Sequence, residues 1–112
     1  MSKLDITSKI EQLEAFEERL NAGLKSLAAF LDAEDEDYIS VDVFGEIFAI
    51  KGAQLSEDIS ICIAIYDAND RVIGTSSSTI YADDFYGLEN FSETIYIPAS
   101  NISKVRVYPK KG

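Results

Sequence analysis

Four isoleucines at alternate positions, Ile59, Ile61, Ile63 and Ile65, restrict this chain more than any other feature. A period of two puts all four on one face of a β-strand and turns Ser60, Cys62, Ala64 and Tyr66 to the other. Side chains branched at Cβ suit the pleated backbone and lose rotamer freedom in a helix. A face so apolar has to be covered by a second layer, so the chain needs at least one more sheet or a helix packed on this strand.

The same alternation recurs on both sides. Ile39, Val41 and Val43 share one face, and Gly45 suggests a bulge or bend before Glu46–Ile50. Lys51-Gly52-Ala53-Gln54 and Asp67-Ala68-Asn69-Asp70 carry turn chemistry, the second making a hairpin into Arg71–Gly74 and on to Ile80. After a polar and aromatic loop from Tyr81 to Gly87, Phe91, Ile95 and Ile97 face inward in a strand ended by Pro98. Val105 and Val107 face inward in a last one ended by Pro109. Short strands at this spacing predict an all-β sandwich over residues 38–112.

Upstream the period differs. Ile6, Ile10, Leu13, Phe16, Leu20, Leu24, Leu27 and Leu31 fall in steps of three or four, with no Pro and one Gly (Gly23) between them. That spacing predicts an amphipathic helix over residues 1–31, its stripe wider than a two-stranded coiled-coil seam. Such a helix would dock on the sheet or drive homo-oligomerisation, and residues 32–37, nearly all acidic, would form a solvated linker. The expected class is therefore α+β: an N-terminal amphipathic helix followed by an immunoglobulin-like sandwich.

Composition narrows the function. The chain of 112 residues has no His and one Cys, which removes the usual general base and the usual zinc ligands. No phosphate-binding glycine loop is present. A net charge of −10, with scattered cations, argues against nucleic acid and anionic membranes as partners. No leader-like or membrane-spanning apolar run is evident, and a lone Cys62 demands no oxidising compartment, so the expected location is the cytoplasm. The chain reads as non-enzymatic, without a cofactor. The acids of residues 32–37, Asp67 with Asp70, and Asp83 with Asp84 could gather calcium, although no EF-hand spacing exists and ordinary turns and linkers use the same residues.

Two surfaces remain as candidates for binding protein. Tyr66, Tyr96, Arg106 and Tyr108 fall on the outward phase of their strands; grouped, they would make an aromatic patch with a cation, unless a docked helix covers them. Tyr81, Phe85 and Tyr86 lie in the 81–87 loop, which either binds or plugs one end of the sandwich. Cys62 has no cationic sequence neighbour and reads as an inert thiol.

Residues 39–108 resemble the bacterial FxLYD-type sandwich domains, on Val43-Phe44-Gly45-Glu46-Ile47, Ile63-Ala64-Ile65-Tyr66-Asp67, Asn69–Gly74 and Phe91-Ser92-Glu93-Thr94-Ile95. The resemblance implies an immunoglobulin-like topology and an interaction domain with no catalytic residues. The expected function is a protein-protein interaction or assembly module. An acidic inhibitor or antitoxin-like protein occupying a basic partner, and a calcium-dependent module, are the alternatives.

Overall fold

The alternating segments become strands, as their period requires, and the stretch before them does so too. The computed structural model describes residues 3–33, 37–98 and 101–112. Its elements are β1 (Lys3–Asp5), β2 (Ile10–Gln12), α1 (Glu14–Leu20), β3 (Ala22–Asp32), β4 (Tyr38–Ala49), β5 (Ile59–Asp67), β6 (Val72–Ile80), β7 (Leu88–Pro98) and β8 (Ile102–Lys111). They form a β-sandwich of two four-stranded sheets, ordered β1-β3-β4-β7 and β2-β8-β5-β6. Neighbours run antiparallel except β2 and β8, which are parallel.

Between the sheets lie the predicted inward faces. Ile59, Ile61, Ile63 and Ile65 meet Val41, Val43 and Ile47 from the first sheet, with Val105 and Val107 beside them, all essentially inaccessible to water. Each such side chain contributes about 1.5–3 kcal/mol relative to exposure, the largest favourable share of this fold's stability.

The long N-terminal helix does not form. Residues 14–20 alone are helical, and the chain around them is extended. Three of the three- or four-residue steps in the apolar stripe coincide with a break in the backbone. Ile6 and Ile10 flank a 3₁₀ turn at Thr7–Lys9. Leu20 and Leu24 flank Asn21, which ends α1 in the left-handed region at φ 56°. Leu24 and Leu27 are separated by a bulge between Lys25 and Ala28, where Ser26 also has φ 56°. The extra residue there lets Leu24, Leu27, Ala29 and Leu31 all reach the core from one strand. A helical period and a strand interrupted by turns thus give the same spacing.

The residues proposed as a helix interface consequently serve their own core. Ile6 and Leu24 are buried in it, and Ile10, Leu20, Leu27 and Leu31 pack against it. Leu13 precedes α1 as its N-terminal cap residue, and Phe16 stays 40% exposed on the helix surface. No continuous helical stripe remains to drive self-association. The sandwich also begins at residue 3 rather than 38, because β3 pairs with β4 along its length. Asp32 ends β3; residues 34–36 of the expected acidic linker lie outside the described residues.

Gly45 does sit at a bulge, with the extra residue on β3: it lies between Glu46 opposite Lys25 and Phe44 opposite Ala28. The β4–β7 ladder runs unshifted from Tyr38 opposite Pro98 to Phe48 opposite Leu88. The glycine is there because a Cβ would overlap the side chains of Leu27 and Phe91, which pass over it. Gly23 serves β3 likewise, leaving room for the Phe48 ring.

Residues 3–20 close the open side of the sandwich. β1 pairs with β3 at the edge of one sheet, and β2 pairs with β8 at the edge of the other, at Ile10–Val105, Glu11–Arg106 and Gln12–Val107. α1 then packs between β8 and β3. Glu17 fixes this corner: its Oε1 accepts the Leu24 N–H at 3.0 Å, and its Oε2 accepts from Gln12 Nε2 at 3.1 Å. Gln12 Nε2 also donates to the Leu24 carbonyl at 3.0 Å.

Candidate protein-binding face

The register of β5 against β8 decides which outward side chains meet. Tyr66 lies opposite Lys104, Ala64 opposite Arg106, and Cys62 opposite Tyr108. Three of the four predicted residues, Tyr66, Arg106 and Tyr108, therefore share the outer face of the second sheet. Arg106 Nη1 donates to the Tyr66 hydroxyl at 3.1 Å, and its Nε donates to Glu11 Oε1 at 2.7 Å. Its guanidinium carbon lies 5.1 Å from the Tyr66 ring centre, and Lys104 Nζ lies 4.8 Å from the same ring, so two cations flank one tyrosine. The hydrogen bond to Glu11 holds Arg106 even more firmly in its charged form.

Residues from α1 extend the cluster. The Phe16 ring stands edge-on to Tyr108, with centroids 5.9 Å apart and planes at 83°, and Arg19 lies 5.8 Å from the Phe16 ring centre. Burial raises the Tyr108 hydroxyl above its ordinary value, helped by Cys62 and Tyr66 and opposed by Arg106, so it is protonated near neutrality and can donate. Burial likewise raises the Cys62 thiol, against the opposing charge of Lys110. Over β5, between Tyr108 of β8 and the hydroxyls of β6, lies a shallow trough of about 370 Å³, lined by Cys62, Ala64, Thr75, Ser77 and Tyr108 among others.

Tyr96 is not part of this site. It projects from β7, in the other sheet, where it is 75% exposed. The outward phase of two strands says nothing about whether they share a sheet. The 81–87 loop divides: Phe85 is buried in the core, while Tyr81 and Tyr86 project into solvent, Tyr86 at 90% exposure. Phe85 does plug the sandwich, and the Ala82 N–H bonds to Asp58 Oδ1 at 2.9 Å beside it.

Glu11, Phe16, Arg19 and Lys104 complete the face; of these Phe16 alone was expected at a site, and there in a helix interface rather than on this face. The first three belong to the stretch whose spacing reads as a continuous helix, which hides the turn that brings them to β8. Lys104 stands two residues before Arg106 on the same strand phase, a signal present in the sequence.

Two of the acid clusters sit in local turns, and residues 34–36 of the third lie outside the described residues. Asp67 Oδ1 accepts the N–H groups of Asn69 and Arg71, closing the β5–β6 hairpin in which Asp70 has φ 61°. Asp83 and Asp84 sit in a 3₁₀ turn. Among the described residues no three acids or thiols converge as a metal site would require. No helix among them is long and apolar enough to cross a membrane.

No family model matches the sequence, and no curated protein matches it. Solved structures match the fold. A glycosyl hydrolase family 2 member from Bacteroides cellulosilyticus DSM 14838 superposes with a TM-score of 0.56 at 8% identity, over 76% of this chain and 14% of that one. A Bacteroides cellulosilyticus family 2 structure from microfluidic crystals gives 0.59 at 8% identity, over 81% and 14%. A β-glucuronidase from glycoside hydrolase family 2 gives 0.52 at 13% identity, over 80% and 11%. The chain therefore spans about one-seventh or less of these enzymes, and at such identity the likeness is one of fold: a β-sandwich like those found as parts of much larger chains.

Proposed function

We propose that this protein is a non-catalytic protein-interaction module whose binding surface is the outer face of the second sheet. The observation carrying this reading is the Tyr66–Arg106–Tyr108 cluster, extended by Phe16. It joins the residue types enriched at the energetic centres of interfaces, aromatic rings and arginine, on a face of regular strands. The rings and the guanidinium are held by mutual contacts before any partner arrives, so little side-chain entropy is lost on binding.

An immunoglobulin-like topology accompanies this reading. β4 lies beside β7 and β5 beside β8, and the chain changes sheet between β4 and β5 and again between β7 and β8. The B–E and C–F pairs of the immunoglobulin sandwich have this relation. β2 then takes the place of the strand beyond F, in parallel orientation. Such sandwiches serve widely as recognition scaffolds, and the resemblance to FxLYD-type domains points the same way.

The test is capture from a lysate of the source cells by immobilised full-length protein. A partner retained by the unaltered protein and by Tyr96→Ala, but lost from the double variant Tyr66→Ala/Arg106→Ala, supports the assignment. Partners retained equally by both variants overturn it.

A further inference from the structure

Three strands of the second sheet carry a charge balance opposite to that of the protein they belong to. β5, β6 and β8 together hold one of the chain's 20 acids, Asp67, and four of its 10 cations, Lys104, Arg106, Lys110 and Lys111. Asp67 is turned into its hairpin by two backbone hydrogen bonds. At the outward positions of these three strands stand hydroxyls, a thiol, Ala64, Val72, two tyrosines and the cations, with no carboxylate among them. Acids approach from the edge strand β2 and from the flanking loops: Glu11 of β2 pairs with Arg106, Asp70, 75% exposed, reaches Lys104 at 3.6 Å, and Glu57 reaches Lys111 at 3.9 Å. Lys110 makes no ion pair among the described residues.

From this face we infer a partner class: an extended peptide segment bearing carboxylates at alternate positions, laid along β8. The inference rests on the reading of this face as the binding surface. Outward residues of a strand recur about every 6.6 Å. Lys104, Arg106, Tyr108 and Lys110 therefore present a cation, a cation, an aromatic ring and a cation in equal steps. A second extended chain has the same repeat, so its side chains at alternate positions match this row in the order acid, acid, apolar, acid. Arg106 uses two N–H donors in the bonds to Glu11 and Tyr66 and has three more for a carboxylate. The Lys104–Asp70 pair is loose and solvated, and exchanges readily. The trough beside Tyr108, floored by Cys62 and Ala64 and edged by the Thr75 and Ser77 hydroxyls, is shallow and lined by small side chains, as a single extended chain requires. A positive strip on a chain of net charge −10 also selects against general anion binding, since polyanions are repelled by the rest of the molecule.

The probe is a capped heptapeptide, Glu-Ser-Glu-Ser-Val-Ser-Glu, with its reversed sequence as a second probe because strand direction is free. Each is titrated into full-length ¹⁵N-labelled protein and followed by amide shifts. The expected result is saturable shifts confined to residues 104–110 and the facing part of β5, weakened about tenfold or more when salt rises from about 20 to about 300 mM. Lys110→Glu, an exposed substitution that leaves the core untouched, abolishes them, and Lys110→Gln weakens them. If neither acidic peptide shifts these residues at millimolar concentration, the inference is wrong. If the versions with Gln for Glu shift them equally, the face binds peptides but not acidic ones: the partner class falls and the proposed function stands. An oligothymidylate that binds the strip more tightly than either peptide overturns the inference in favour of nucleic acid. Silence from every probe, together with lysate capture indifferent to Tyr66→Ala/Arg106→Ala, removes both readings.

Discussion

Glu17 is the charged residue on which the N-terminal corner depends. Only 7% exposed, it satisfies the Leu24 N–H where β3 begins and holds the Gln12 amide at the end of β2. Removing the carboxylate leaves a buried N–H without a partner. Glu17→Ala is therefore expected to cost about 1–3 kcal/mol in urea denaturation, and Glu17→Gln, which keeps one carbonyl acceptor, distinctly less. Equal losses from the two variants would show that packing of the side chain, not its hydrogen bonds, matters there. Cys62 gives a prediction in pH. Burial raises its pKa above the ordinary thiol value of 9.0. The stability linked to the neutral thiol is thus complete below that value and is lost as the pH rises through the higher folded-state one. At about pH 8, iodoacetamide should alkylate Cys62 more slowly than it does free glutathione, the gap narrowing toward alkaline pH; equal rates at that pH would show the thiol to be unshifted. At this scale the sequence was a fair guide. Tyr66, Arg106 and Tyr108 follow from strand phase alone, whereas excluding Tyr96 needed the sheet order, which no local pattern carries.

Among the elements, the strands from β4 to β8 were legible, with the inward residues named on β4, β5, β7 and β8, because alternation of apolar residues with a period of two fits little besides a strand. The failure lay in residues 3–31. Leu, Ala, Glu and Lys favour a helix, and the apolar steps of three and four agree with one, yet most of the segment is strand and turn. Tertiary pairing prevails: β3 gains a full ladder with β4, and its bulge brings Leu27 over Gly45. Local preference and global fold therefore conflict here. A synthetic peptide of residues 3–33, freed from β4 and β8, is expected to be largely unstructured in water and strongly helical by circular dichroism in trifluoroethanol. A peptide that stays extended in that solvent would show that the strand preference is intrinsic to the segment. Asn21 and Gly23 were the available warnings: Asn21 adopts the left-handed conformation and clasps Lys51 through hydrogen bonds in both directions, at 3.0 and 2.7 Å.

For the molecule as a whole, the sandwich was readable and its closure was not. The number of strands and the burial of one face per strand require two layers. Nothing in a local window announces that residues 3–12 divide between the edges of both sheets. That closing pair, β2 on β8, has a consequence for how the chain folds during synthesis. Arg106 and Glu11 are 95 residues apart in sequence. Every residue of β8 must be made before β2 has a strand to join, so a segment made before β3 to β8 is among the last that can settle. Until then its helical leaning is unopposed, and contacts of such long range make folding slow, in the millisecond-to-second range of β-rich domains. The nascent β2 segment thus waits, largely unstructured and without an edge to join, for β8 to arrive.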